Sequence, residues 1–214
     1  MGRTSRTTTP QRRQYAGLSS EERSAERRRR LMAAGLKLFG KDGYGSTSIE
    51  ALCAAARVTT RHFYEEFKHR ETLLAVIYDQ ILSDALSAVE LALADAPEDD
   101  LYARARAGVA AFVHAMLDDP RRARIVCVEV VGVSARLEKH RRPALHRFAH
   151  IVENEARRAA GKGLISDRDP GLAAVALVGG TYEVLVEVLG KRKVATDELI
   201  EELSRFFVAV ASAG

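Results

Sequence analysis

Thr59, Thr60, Arg61, His62 and Tyr64 fall within six residues of one another. Together they offer short hydroxyls, a guanidinium fork, an imidazole and a phenol on one short stretch. If that stretch is the exposed start of a helix, its amides and hydroxyls suit phosphate oxygens, and its longer donors can reach base edges in a major groove. Arg61 is the expected base reader, since an arginine fork bonds guanine O6 and N7 together and discriminates against a wrong base by roughly 1–3 kcal/mol. Tyr64, one turn after Thr60, would direct its hydroxyl to the nucleic-acid backbone. Thr47, Ser48, Lys68 and Arg70 flank the stretch and complete the expected contact set.

Positioning such a set takes at least two helices. Thr47 followed by Glu50 reads as a capping box opening one of them, with Ile49, Leu52, Cys53 and Ala56 on its buried side. Arg57 and Val58 break it, and Thr59 is placed to cap a second helix running through Phe67. Phe63 and Phe67, four apart, should face inward, with Glu65 and Glu66 on the solvent side or against Lys68 and Arg70. Before this pair, Leu31, Ala34, Gly35, Leu38 and Phe39 share one helical face. Helix one proper is expected to begin at Arg27–Arg30, and at least one of those arginines must border the core along its aliphatic stem. The pattern is that of a helix-turn-helix, although a plain helical hairpin with a charged face has the same local signature.

The run from Leu38 to Leu74 resembles the DNA-binding domain of the TetR family of transcriptional regulators. Phe39 and Gly43-Tyr44 stand where that family ends its first helix. Thr47-Ser48 opens the second helix and Val58-Thr59 the third, Tyr64 to Phe67 closes the third, and Arg70-Glu71 starts the fourth. Two positions depart, because Arg57 in the turn and Arg61 in the recognition helix stand where the family commonly has glycine. Arg57 would have to adopt a backbone conformation that glycine takes more easily, and Arg61 alters what the groove-facing surface reads.

Charge is divided unevenly along the 214 residues. Residues 1–70 hold 15 Lys and Arg against 7 Asp and Glu, a net +8, whereas residues 71–214 hold 18 against 22, a net −4. That asymmetry is the footprint of a nucleic-acid-binding unit joined to a neutral or acidic body. Residues 1–22 read as a flexible basic arm able to follow phosphates or enter a minor groove, or simply to be solvated. No apolar segment follows their arginines, so they do not read as a signal peptide. Residues 23–70 read as the helix-turn-helix domain and 71–214 as a second domain.

An all-α fold of about nine helices is expected, with 47 % hydrophobic residues and no tryptophan. A fourth helix should run from about Arg70 to Ala94 and a fifth from Leu101 past Met116. A sixth should start at Asp119-Pro120 and reach about Ser134. The seventh centres on Ala144 to Glu155, the eighth follows Asp169-Pro170 to Gly190, and Thr196 caps the ninth. Helix eight is apolar nearly all round, which calls for burial on more than one face; Glu183 and Glu187 argue against a membrane span. Helices eight and nine resemble the pair through which TetR-type proteins form a two-fold four-helix bundle, implying a homodimer. The resemblance also implies a ligand pocket among helices four to eight. Phe112, Met116, Glu129, Phe148, His150, Tyr182 and Glu183 are its candidate lining residues, Glu129 because an acid between valines needs a partner if buried.

Catalysis finds no motif: the chain lacks GxGxxG, Walker and GxSxG patterns. Cys53 and Cys127 are far apart, and His114, His140, His146 and His150 form no HExxH, so neither a metal nor another cofactor is expected. The sequence therefore reads as a cytoplasmic, non-enzymatic regulator that binds a palindromic double-stranded operator as a dimer and is released by a small-molecule effector. A regulator without effector, or a helical enzyme or binding module with incidental basic charge, remains the alternative.

Overall fold

Helix formation begins earlier than the sequence pattern suggests. The computed structural model describes residues 19–190 and 193–213, and in it α1 spans Ser20–Asp42. Ser19 caps it: the hydroxyl accepts the Glu22 N–H at 3.1 Å, and the Glu22 carboxylate accepts the Ser19 N–H at 2.6 Å. This reciprocal box explains why the helix starts ahead of the arginine run. The expected arm boundary at residue 22 is corrected accordingly, since Ser20 to Glu22 belong to α1; residues 1–18 lie outside the described residues.

Short helices α2 (Ile49–Ala56) and α3 (Thr60–Glu66) follow, and then the long α4 (Arg70–Asp95). Leu31, Phe39, Leu52, Phe63, Phe67, Leu73 and Leu74 are almost completely buried and join α1–α3 to the first turns of α4 in one core. Gly35 permits the close crossing, because a Cβ there would lie 2.5 Å from the Ile77 side chain. Ser48, not Thr47, caps α2, its hydroxyl accepting the Ala51 N–H at 3.1 Å.

The body is built from α5 (Leu101–Leu117), α6 (Pro120–Arg124), α7 (Ala135–Gly161), α8 (Gly171–Gly190) and α9 (Thr196–Ser212). Asp119 caps α6 as its position suggests, and Asp100 caps α5. The sixth helix does not continue to Ser134. It widens into a π-helical turn over Ile125–Glu129, in which the Val130 N–H reaches back to the Ile125 carbonyl at 3.2 Å, and Gly132 at φ +72° ends it. Five β-branched residues between Ile125 and Val131 crowd the preceding turns and weaken an α-helix there. Ser134 then caps α7, which starts nine residues ahead of Ala144, the first residue of its expected stretch. Thr196 is the first residue of α9 and not its cap, which is Ala195.

Among the described residues every regular element is helical. α4 packs on α5, α5 on α9, and α7 on α8. α6 lies against α1, where Gly40 leaves room that a Cβ would fill at 2.4 Å from the Arg121 Cβ. Helix α8 departs from expectation within the single chain, because only 33 % of its most apolar stretch is buried. Ala174, Leu177, Val178 and Leu185 face the core, while Leu172, Val175 and Gly179 face outward. Two helices, α4 and α8, are long and apolar enough to cross a membrane by composition, and half of the α4 stretch is buried in this fold.

Candidate nucleic-acid interface and ligand cavity

Helix α3 is held from behind and open in front. Phe63 and Phe67 are buried, and their rings meet at 6.0 Å. Thr59 caps the helix by accepting the His62 N–H at 3.2 Å. On the outward side Thr59, Thr60, Arg61 and Tyr64 are exposed and His62 is half-buried, so the expected donors do share one end and face of the helix. Arg61 is 87 % exposed and bonds Glu65 at 3.1 Å. An exposed i,i+4 pair contributes only about 0.3–0.5 kcal/mol, so Arg61 can exchange that partner for a base edge at little cost. Ser48 and Lys68 are exposed beside this face.

Two expected contacts are corrected. Thr47 is only 3 % exposed, and its hydroxyl donates to the Gly43 carbonyl at 2.8 Å, so it closes the α1–α2 turn from inside. Arg70 also works inward: its guanidinium donates to the Tyr44 carbonyl at 3.0 Å and to the Thr47 carbonyl, and it sits 4.7 Å from the centre of the Tyr44 ring. Their positions point to DNA because a polar residue at a helix start is exposed by default. Here the turn between α1 and α2 folds back over them and needs their donors.

Glu65 is exposed as expected, whereas Glu66 has other partners. Glu66 accepts from Ser24 at 2.7 Å and from Arg27 at 3.1 Å, which ties the end of α3 to α1 rather than to Lys68 and Arg70. Arg28 is the arginine that borders the core, its guanidinium 4.6 Å from the centre of the Phe67 ring. Arg57 takes φ +53°, the only left-handed non-glycine among the described residues, which is the conformation its departure from glycine implied. The Arg57 carbonyl accepts from Arg30 at 3.5 Å. Arg23, Arg30, Arg57, Thr59 and His62 line a groove beside the start of α3. The sequence offers phosphate contact to some of Arg27–Arg30, and the groove brings Arg30 together with Arg57.

In the body, a cavity of about 140 Å³ lies among α4, α5, α7, α8 and α9. Phe112, Phe148 and Tyr182 line it together, with ring centres 5.1 Å apart for Phe112–Phe148 and 6.1 Å for Phe112–Tyr182. The other four expected lining residues lie elsewhere. Met116 is fully buried core, while His150 and Glu183 are exposed, His150 beside Glu153 at 3.2 Å. Helix periodicity identified the apolar face but could not say which part of it borders empty space.

Sequence reasoning missed the one charged pair in the wall. Arg104 is 7 % exposed, and its Nε and Nη2 donate to the two Glu155 oxygens at 2.7 and 2.9 Å. Burial by itself would raise the Glu155 carboxyl, but hydrogen bonds from Arg104 and Arg158 outweigh it and hold the group below its ordinary value. The Tyr182 hydroxyl is buried without a protein partner, as is that of Tyr78, and burial raises both phenols.

Glu129 has a different task from the one expected of it. Its carboxylate accepts the Tyr44 N–H at 2.7 Å and the Arg124 Nε at 2.9 Å, and Arg124 also donates to the Lys41 carbonyl at 3.3 Å. The acid between valines does find a partner, but that partner is the α1–α2 turn. Glu71 makes a second tie between the N-terminal helices and the body, accepting from Ser134 and Arg136 at 2.9 Å each; the Arg136 bond holds its carboxyl below the usual range. Cys127 is buried, which pushes its thiol up to about 12. Among the described residues no group of three or more metal-binding side chains comes together.

Residues 31–77 match the family model described as bacterial regulatory proteins, tetR family. No curated protein matches the sequence. Solved structures match nearly the whole chain. A TetR-family regulator of Syntrophomonas wolfei is 21 % identical with a TM-score of 0.75, over 88 % of this chain and 96 % of that one. The regulator FadR of Bacillus subtilis, solved with stearoyl-CoA, is 15 % identical with a TM-score of 0.73, over 87 % and 98 %. AibR, solved with isovaleryl coenzyme A and operator DNA, is 17 % identical with a TM-score of 0.66, over 84 % and 97 %. Residues 31–77 thus match the model of the tetR regulatory proteins, and the described helices together take the fold of these solved regulators.

Proposed function

We propose that the protein is a ligand-responsive transcriptional repressor that binds a palindromic operator as a homodimer and is released when a small molecule fills the cavity in its body. The observation that carries the reading is α3: two buried phenylalanines fix its inner side while Thr60, Arg61 and Tyr64 stand exposed together at its outer end. Thr59, Thr60, Arg61, His62 and Tyr64 form the reading set, with Ser48 and Lys68 beside them. Arg30 and Arg57 would add phosphate contacts from the adjoining groove. Residues 20–70, which take in the whole of α1, act as the DNA-binding domain and 71–214 as the ligand-binding and dimerisation domain, in a cytoplasmic protein without catalytic activity.

Dimerisation through α8 and α9 is supported by their outer faces. Leu172 is 87 % exposed, Phe206 49 % and Val175 44 %. Gly179 and Gly180 have nothing within 4 Å of where a Cβ would stand, which leaves room for another helix to approach. A palindromic site needs two recognition helices about 34–36 Å apart, and a two-fold pairing of these faces would supply them. Ligand control is supported by the cavity and by the coenzyme A thioesters bound to FadR and AibR. The response would be a population shift in which ligand favours a dimer whose α3 helices are wrongly spaced. Glu129 and Glu71 would transmit it, since they tie the body to the α1–α2 turn and to α4.

Selection against random duplex DNA tests the reading. An inverted repeat is expected to emerge, bound by a dimer, and Arg61→Ala should weaken it by roughly 1–3 kcal/mol and relax its preference at one base pair. Weak, salt-sensitive binding with no enriched sequence would refute it.

A further inference from the structure

We infer that the group received by the cavity is a neutral hydrocarbon of about six carbons, either a short-chain or aryl compound or the short acyl part of a larger molecule. The inference rests on the ligand-binding reading above and names the ligand class. Size is the first argument. The cavity measures about 140 Å³, close to the ~150 Å³ of an apolar protein cavity that stays dry and admits benzene. A long acyl chain has no room to be enclosed in it.

Charge is the second argument. Apart from Arg104 and Glu155, the wall is almost wholly hydrocarbon, with Leu93, Val109, Phe112, Phe148 and Leu177 typical of it. Arg104 is the only cation among the lining residues, and its bonds close on the protein itself. Nε and Nη2 hold the two Glu155 oxygens, and Nη1 donates to the Ala96 carbonyl at 2.9 Å. Glu155 is held in turn by Arg158 at 3.1 Å. An anion entering this space would lose its water and meet a guanidinium already neutralised, while a cation would meet a carboxylate already paired. A neutral end enters without that penalty. The unpartnered Tyr182 hydroxyl belongs to a residue of the same wall.

The test is thermal shift and calorimetry on the full chain with straight-chain alcohols from 1-butanol to 1-decanol, and with adipate, which carries a carboxylate at each end of a six-carbon chain. Affinity should rise about fourfold for each added carbon, the worth of one buried methylene, and level off near 1-hexanol; adipate should give no shift. Gly108→Leu and Ala105→Leu point new bulk into the cavity from α5, and leucine is a good helix former at either position. Each variant should fold and lose the 1-hexanol response. Absence of any alcohol response, a slope continuing unbroken to 1-decanol, or adipate binding as well as 1-hexanol would overturn the inference. Operator binding by the same sample separates the two readings: selective DNA binding without an alcohol response sinks this inference alone, and an alcohol response without selective DNA binding sinks the regulator reading instead.

Discussion

Replacing Glu129 with alanine should loosen the N-terminal helices from the body while leaving the cavity untouched. The Glu129 side chain is only 11 % exposed and accepts two hydrogen bonds, from the Tyr44 N–H at 2.7 Å and from Arg124 at 2.9 Å. A hydrogen bond to a charged group is worth about 1.5–3 kcal/mol when shielded from water. Arg124 is 42 % exposed, so its share falls toward the ~0.2–1 kcal/mol of a surface pair, and the Tyr44 amide supplies most of the effect. The loss should total about 2–3 kcal/mol. At roughly 2–4 °C per kcal/mol for a chain of this size, Tm should fall by about 5–10 °C. Glu129→Gln keeps an acceptor for the Tyr44 N–H and should lose about half as much. Scanning calorimetry gives the first number, and titration with 1-hexanol shows whether the cavity is intact. A variant as stable as the parent but binding 1-hexanol tenfold more weakly would refute the argument and return Glu129 to the ligand site.

Three further outcomes follow from the same geometry. Removing Arg104 would strand a partly buried carboxylate; because Glu155 is 28 % exposed and keeps Arg158, Arg104→Ala should cost about 2–4 kcal/mol, toward the lower end of the range for broken buried pairs, as read from the urea midpoint. The pH dependence has a definite sign. The folded state holds the Glu155 carboxyl below its ordinary 4.5, so this contribution is complete above that value and disappears as the pH falls through the folded one; Glu155→Gln should flatten the acid limb of the stability curve, and an unchanged limb would show that the pair contributes nothing. Arg57→Gly should relieve about 1–2 kcal/mol of left-handed strain but restore ~0.5–1 kcal/mol of chain entropy to the unfolded state. The net gain should be up to about 1 kcal/mol by denaturation, with the salt slope of operator binding reduced by about one if Arg57 meets a phosphate.

Local chemistry explains what was legible beforehand. Thr59 accepts an amide two residues into α3, so its cap can be recognised from spacing alone, and Phe63 and Phe67 fall on one face because the helix repeat puts them there. The αL turn at Arg57 was visible as an arginine in a glycine's place. The inward roles of Thr47 and Arg70 are not legible locally, because their partners, the Gly43 and Tyr44 carbonyls, belong to a turn whose path over them is a tertiary matter. The spacing of Ser19 and Glu22 carries the earlier start of α1, beside the more conspicuous arginine run.

The sequence by itself determined the helical class, the cap and inner face of α3 and its outward donors, because these depend on residues within a turn or two of one another. Tertiary structure alone decided that Glu129 would grip the α1–α2 turn 85 residues away, that Arg104 would close on Glu155 51 residues away, and that the space between α5, α7, α8 and α9 would stay open beside Phe112, Phe148 and Tyr182. Periodicity states which side of a helix is apolar, whereas a cavity is the volume left when several such sides fail to meet. That remainder depends on crossing angles and side-chain sizes summed over the whole body, and no stretch of the chain carries it.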